Sequence, residues 1–273
     1  MQPLFSVILP TYNRAYVLWK AIQSVIAQSE PRWELIVVND GSTDCTLRLL
    51  EEFRDPRLRV ITTANRGPSV ARNQGLVVAA APYVAYLDSD NVWHREFLAV
   101  MLESIQRQPQ AICWYCNANT TFWERTKEGE WHVIWRKSAQ GEPKTREALW
   151  RLSGVDTNCM VHRCAAGLAI GGWDEQCRWL EDWDFFLRIF LRYPDQVVHI
   201  PYTLVEYRQV HGTGADGICA EAREDFAQEQ AGRAYLLAKW GTHPEFAATD
   251  KLTKTQADLP LLRASPFPHA PVT

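Results

Sequence analysis

Leu35-Ile-Val-Val-Asn-Asp-Gly-Ser-Thr-Asp44 is a short apolar, β-branched run that breaks into a polar turn. A run apolar at every position is a strand buried on both faces, and such strands belong to parallel sheets covered by helices. The flanking sequence repeats the pattern. Upstream, Phe5-Ser-Val-Ile-Leu9 reads as a strand, and Ala15–Ala27 as a helix with Val17, Leu18, Ala21, Ile22, Val25 and Ile26 along one face. Downstream come helix Thr43–Phe53, strand Leu58–Ile61, helix Ser69–Val78, strand Tyr83–Leu87, helix Arg95–Arg107 and strand Ala111–Tyr115. The alternation predicts the α/β class: a Rossmann-like, mostly parallel sheet flanked by helices.

In open α/β sheets ligands bind beyond the carboxyl ends of the strands. Here those ends carry Thr11-Tyr-Asn-Arg14, Asn39-Asp-Gly-Ser-Thr-Asp44, Asn65-Arg-Gly67 and Asp88-Ser-Asp-Asn91. All four would converge on one crevice. The second half is less regular. The Trp-rich segment Asn119–Ala139 suits a hairpin or an insertion, Thr145–Leu152 a short helix, Asn158–Val161 a strand and Gly171–Asp174 a turn. Glu181–Leu191 is an amphipathic helix, Val197–Ile200 and Leu204–Tyr207 are strands, and Glu221–Trp240 is a closing helix. The expectation is one domain over residues 1–240, divided into halves 1–116 and 117–240, followed by a tail 241–273.

Composition narrows the function. The chain has 273 residues, 47% hydrophobic and 22% charged, with a formal net charge of -3. Lys and Arg are scattered without the basic stripe of a nucleic-acid surface, so nucleic acid is not an expected partner. Apolar stretches such as Leu35–Val38 and Leu76–Ala81 are too short to span a bilayer. Phe5–Leu9 is stopped by Pro10, which argues against a secretory leader and for the cytoplasm, while twelve Trp leave peripheral membrane contact open. Seven irregularly spaced Cys read as free, mostly buried thiols. Cys113 and Cys116 have metal-like spacing, but no later pair repeats it, and a strand is a poor setting for redox chemistry.

Asp88 and Asp90, two residues apart at a strand exit, form a compact hard-oxygen site suited to Mg²⁺ or Mn²⁺. A cation there would bridge the two phosphates of a nucleotide-sugar and neutralise charge on the departing diphosphate. Asp40 can accept a proton from a uracil-type N–H, or simply bond its own turn. Arg72 can reach base or phosphate, or sit on the surface. Asn65-Arg-Gly67 can supply backbone donors or form a plain turn. Glu181, Asp182 and Asp184 open a helix, where acidic residues are favoured in any case. Asp182, if it faces the crevice, can take the proton of an attacking hydroxyl. His211 is a candidate for cation or phosphate. There is no Gly-x-Gly-x-x-Gly fingerprint, P-loop or Gly-x-Ser-x-Gly elbow, so dehydrogenase, P-loop and hydrolase readings lack an anchor.

Taken together these residues resemble a family 2 glycosyltransferase of the GT-A fold. The likeness runs in order through Pro10–Arg14, Val38–Asp44, Asn65–Gly75, Leu87–Asn91, Gly171–Glu175 and Glu181–Phe185, covering roughly Phe5 to His211. It implies an inverting, metal-dependent transferase that moves a sugar from a nucleotide diphosphate-sugar to an acceptor hydroxyl on a carbohydrate or glycoconjugate. It implies that residues 1–116 bind the nucleotide and that 117–240 face the acceptor. Thr11, Tyr12, Asp40 and Arg72 would surround the nucleoside, with Asp40 facing the base, which favours UDP. Pro10, Arg14, Asn65 and Ser89 join the donor-binding set. Asp88 would lie near the ribose or cation, and Asp90 would be the main ligand of Mn²⁺ or Mg²⁺, with His211 beside it. Asp182 would be the catalytic base, and Glu181 and Trp173 would meet the acceptor. The rivals are a non-catalytic nucleotide-sugar binding module and a sugar-phosphate nucleotidyltransferase, the latter lacking a Gly-rich basic loop after the first strand.

Overall fold

The computed structural model of the chain describes residues 2–125, 131–138, 155–211 and 222–244. Strand β1 (Phe5–Thr11) runs parallel to β2 (Trp33–Asn39) and to β4 (Tyr83–Tyr86), and β2 runs parallel to β3 (Leu58–Thr62). Side chains alternate across these strands, and both faces of β1, β2 and β4 are buried, whereas the edge strand β3 is largely exposed. Phe5, Val7, Leu9, Leu35 and Val37 join a core with Leu18, Ile22 and Val25 of α1 (Leu18–Ile26) and Phe97, Leu98 and Met101 of α4 (Phe97–Arg107). Ile8, Ile36, Val38 and Val84 face the other way, onto Ala71 and Leu76 of α3 (Pro68–Val78) and Phe185, Phe186 and Ile189 of a later helix. Each such side chain contributes about 1.5–3 kcal/mol on full burial, so the apolar runs fix the layering. Gly75 permits it: a Cβ there would lie 2.5 Å from Cγ2 of Ile8, so α3 packs onto β1 at a distance only glycine allows.

The helix after β2 is shorter than its periodicity predicts. Only Thr46–Leu50 (α2) is helical, because the preceding residues bond elsewhere. The N–H of Thr43 donates to Oδ1 of Asn13 at 2.8 Å, and Asp44 accepts from the N–H of Thr46 at 2.9 Å.

Beyond β4 the sheet becomes mixed, with strand order β3-β2-β1-β4 followed by β8 (Met160–Arg163), β6 (Cys113–Arg125), β9 (Val197–His211) and β5 (Val92–Trp93), and with β7 (Trp131–Ser138) beside β6. The strand predicted at Ala111–Tyr115 is the start of β6 (Cys113–Arg125), but it does not lie next to β4. Between them sits β8 (Met160–Arg163), antiparallel to both. The two strands expected at 197–207 form one, β9 (Val197–His211), parallel to β6 through two register shifts. The expected hairpin is present as β6 with antiparallel β7 (Trp131–Ser138). A two-residue strand not anticipated, β5 (Val92–Trp93), pairs with β9.

Helix α5 (Cys164–Ala169) follows β8, and α6 (Glu181–Arg192) carries Phe185 and Phe186 onto the second core. The closing helix α7 (Ala222–Trp240) is tied to α6 where Nζ of Lys239 and Nε1 of Trp240 reach Oδ1 of Asp184 at 2.8 and 2.9 Å. The helix expected at Thr145–Leu152 and the tail from residue 245 lie outside the described residues. Among the described residues no helix is long and apolar enough to cross a membrane. The six described cysteines are free thiols. Cys113 and Cys116 face opposite cores of the sheet and so cannot share a metal.

Candidate active site

The loops after β1 and β2 are bonded together. Asn13 takes a left-handed φ of 52°. Its N–H donates to Oγ of Ser42 at 3.0 Å, and the N–H of Ala15 donates to Oδ2 of Asp44 at 3.1 Å. Gly41 turns the chain at φ 77°, and a Cβ there would come within 2.8 Å of the N of Asn65. The β3–α3 loop is therefore packed against the β2 exit.

Asp40 completes that packing. It is 4% exposed. Its carboxylate accepts from the N–H of Gly67 at 2.7 Å, from the N–H of Arg66 at 3.0 Å and from the hydroxyl of Thr63 at 3.1 Å. Asp40 thus holds the loop that leads into α3, rather than its own turn.

Arg72, one turn into α3, is 4% exposed and bridges two carboxylates. Nη2 donates to Oδ1 of Asp88 at 2.7 Å and Nη1 to Oε1 of Glu181 at 2.8 Å, with Trp173 beneath the guanidinium at 4.6 Å. Burial would lower its pKa, but Asp88 and Glu181 outweigh burial and hold it above the usual range. This ties α3, the β4 exit and the N-terminus of α6 together. Trp173 is 2% exposed, stacked on Phe185 and edge-on to Tyr86. It offers no face to an acceptor, and its place is the floor under Arg72.

Asp88 has a second set of partners. Its N–H donates to Oδ1 of Asn158 at 2.6 Å, and Nδ2 of Asn158 donates to Oδ2 of Asp88 at 3.0 Å and to Oδ1 of Asp156 at 2.6 Å. Neither Asp156 nor Asn158 stood out in the sequence. The signal lay in topology: β8 is antiparallel to β4, so the residues entering β8 stand beside the residues leaving β4.

Asp90 is half-buried, with Nε of Arg14 at 3.9 Å. Burial first, and then Asp88, push its carboxyl up to about 6 against the pull of Arg14. Burial and Asp88 raise Asp156 likewise to about 6. Asp182 accepts from the N–H of Trp183 at 2.7 Å, yet burial, Glu181 and Asp156 push its carboxyl up to about 8. The Tyr207 phenol of β9 is held protonated by burial and by the carboxylates of Asp156, Asp90, Asp88 and Asp182. One crevice beyond the ends of β1, β2 and β4 therefore holds several incompletely balanced carboxyls.

Among the described residues no three His, Cys, Asp or Glu stand close enough to hold an ion by themselves. Asp88 is engaged by Arg72 and Asn158, which leaves Asp90 as the freer hard oxygen donor of the strand-exit pair. Mg²⁺-type cations commonly take one or two carboxylates and complete their shell with substrate phosphate and water. The donor set suits a cation that arrives with a diphosphate. His211 ends β9, and its side chain lies outside the described residues.

The other expected residues differ in exposure. Tyr12 is 41% exposed and presents a ring at the mouth, whereas Pro10 is buried in β1 and shapes the wall from behind. Thr11 and Ser89 are 3% and 7% exposed. Asn65 lines a cavity of about 310 Å³ with Arg66, Gly67, Val70, Glu175 and Arg178.

Residues 6–166 match Glycosyl transferase family 2. The chain is 43% identical over 114 residues to a putative teichuronic acid biosynthesis glycosyltransferase, TuaG, of Bacillus subtilis, covering 41% of this chain and 45% of that relative. Less than half of that relative's length is therefore spanned. The structure superposes on S. aureus TarS 1-349 in complex with UDP-GlcNAc with a TM-score of 0.63 at 22% identity, over 87% of this chain and 67% of that one. It superposes on the mannosyltransferase PcManGT of Pyrobaculum calidifontis, in complex with GDP-Man and Mn²⁺, with a TM-score of 0.59 at 19% identity, over 87% and 65%. These likenesses establish the GT-A fold that the family resemblance implied.

Proposed function

The chain belongs to glycosyl transferase family 2, and from that premise we propose that it transfers a sugar, with inversion, from a nucleotide diphosphate-sugar to an acceptor hydroxyl. The observation that carries the reading is the gathering of Asp88, Asp90, Asp156 and Asp182 at the carboxyl ends of the parallel strands. Three of these carboxyls are raised by burial and by one another.

The roles follow from chemistry at each position. Tyr12 presents a ring on which a base can stack, and the Asp40-braced loop 63–67 closes the other side. UDP-sugars are the favoured donors, in line with the UDP-GlcNAc complex of the TarS neighbour, and Asp40 would shape the base site by bracing that loop. Asp90 would hold Mn²⁺ or Mg²⁺, and the cation would supply charge neutralisation to the departing diphosphate. Asp182, at the first turn of α6, takes the proton of the acceptor hydroxyl as that oxygen attacks the anomeric carbon. A base whose pKa lies near the working pH suits that task. Glu181 orients Arg72 and through it Asp88, a role nearer the donor than the acceptor. Carbohydrate or glycoconjugate acceptors fit a crevice whose far side is built from residues 155–159, β9 and α6.

A donor panel of UDP-, dTDP- and GDP-sugars with Mn²⁺ or Mg²⁺, read by nucleoside diphosphate release and product identification, tests the reading. Acceptor-stimulated release from at least one donor is expected, abolished by chelator. Full turnover in excess chelator would remove the cation, and turnover unchanged in Asp182→Asn would remove the base.

A further inference from the structure

We propose that Asn158 is the positioning residue of the donor site, its amide holding the carboxyls of Asp88 and Asp156 in one hydrogen-bonded unit. The proposal rests on the donor-binding reading of Asp88 given above. Asn158 is fully buried at 0% exposure. Its Oδ1 accepts from the N–H of Asp88 at 2.6 Å, and the two hydrogens on Nδ2 go to Asp88 Oδ2 at 3.0 Å and Asp156 Oδ1 at 2.6 Å. Its own N–H adds a further bond to Asp156 Oδ1 at 2.8 Å. Its carbonyl accepts from Nε1 of Trp93 at 2.8 Å, and that indole is stacked on Phe97 with ring centroids 4.1 Å apart. The residue is thus fixed from behind by the core and directed forward onto the site.

A primary amide is suited to this place. It offers one acceptor for the Asp88 N–H and two donors for two carboxylates, without adding charge. Aspartate would set a third carboxyl against the other two, glutamine would overreach by a methylene, and an aliphatic residue would leave the Asp88 N–H and Asp88 Oδ2 unmet and Asp156 Oδ1 with the backbone N–H alone. Arg72 holds one oxygen of Asp88 and Asn158 holds the other, so the plane of that carboxylate is set from two sides. Without Asn158 the carboxylate can rotate about its single remaining anchor. Asp90 lies two residues on in the same loop, so a change in the Asp88 backbone reaches it as well. A mutation here should therefore act on the donor side of the reaction and leave the acceptor side alone.

The test compares wild type, Asn158→Ala and Asn158→Asp, the last nearly isosteric and still able to accept from the Asp88 N–H. Folded fraction is taken from urea unfolding, UDP affinity from titration calorimetry with Mn²⁺ present, and KM separately for donor and acceptor. Losing hydrogen bonds to charged partners should weaken UDP binding and raise donor KM about tenfold or more in both variants. Acceptor KM should stay within about twofold of wild type. A residue that only stabilises the fold would lower kcat in proportion to folded fraction and leave both KM values unchanged, and that result overturns the proposal. If wild type binds UDP but turns over no nucleotide-sugar, the transferase reading fails while the calorimetry still decides the role of Asn158. A wild type that binds no nucleotide overturns both.

Discussion

Replacing Asp182 by Asn should make the free protein more stable and catalytically silent at once. Burial, then Glu181 and Asp156, hold the Asp182 carboxyl at about 8 in the folded chain, against about 3.9 for an unfolded Asp. Between those values the folded protein keeps a proton that the unfolded chain releases. Stability therefore falls as pH rises through that window, by at most about 1.4 kcal/mol per pH unit. Over the three units to pH 7 the ceiling is about 4 kcal/mol. Glu181 and Asp156 share the repulsion, so about half of that, roughly 2 kcal/mol, is the expected gain from a neutral side chain. Asn keeps an oxygen for the Trp183 N–H, which now donates at 2.7 Å, so the helix start is preserved. At about 2–4 °C per kcal/mol for a domain of this size, Tm should rise by roughly 4–8 °C at pH 7–8, with the gain vanishing toward pH 4. Scanning calorimetry of both proteins at pH 5, 6, 7 and 8, without donor or cation, gives the comparison. A difference that is absent, or equal at every pH, would refute the placement of Asp182 in a low-dielectric acidic cluster. Turnover should fall by about 10²–10⁴, the range for a lost general base.

The same carboxyl sets the rate profile: kcat/KM for the acceptor should rise with pH up to about 8, where free Asp182 ionises, and a profile that falls from pH 6 to 8 would contradict a base in that place. Arg72→Met should cost about 3–5 kcal/mol in urea unfolding at neutral pH, since Asp88 and Glu181 lose their shared cation, and Arg72→Lys should recover only part because an ammonium cannot fork between them. Lys239→Met should cost about 1–3 kcal/mol by the loss of its bonds to Asp174 and Asp184. Against burial, Lys239 and Tyr235 hold Asp174 down to about 2, so that cost should be full above about pH 4 and shrink as pH falls toward 2, and an effect constant down to pH 2 would count against the pairing.

The first half of the fold was legible because its information is local. Leu35–Val38 is apolar at every position, and it lies between two helical layers as such a run must. The polar tetrapeptides lie at strand exits because a parallel sheet sends every exit to one edge. What was hidden depends on contacts distant in sequence. Helix α2 is short because Thr43 and Asp44 are bonded to Asn13, 30 and 31 residues back in the chain. Asp40 looks equally ready to meet a base or a turn, and only the approach of Arg66 and Gly67 decides what its oxygens hold. Trp173 carries no sign in its neighbours that Arg72 lies on it. Asp156 and Asn158 look like a plain strand entry until β8 is seen to run against β4.

Helix α6 contains its own control for reading the acidic crevice as functional. Asp184 is fully buried at 0% exposure, and the protein has neutralised it: Arg188 reaches it at 2.8 Å, Lys239 at 2.8 Å and Trp240 at 2.9 Å. Asp182 begins the same turn, is partly buried, and among the described residues forms no ion pair. A chain that brings a helix and two cations to one carboxylate, and leaves another two positions away raised by its acidic neighbours, is not short of means to balance charge. The imbalance persists at Asp90, Asp156 and Asp182, which all face the crevice, and is absent at Asp174 and Asp184, which face α7. Packing alone would favour neutralising the first group as well. Its retention where the strand ends open to solvent is what a site that completes itself with a positively charged or proton-donating substrate complex requires.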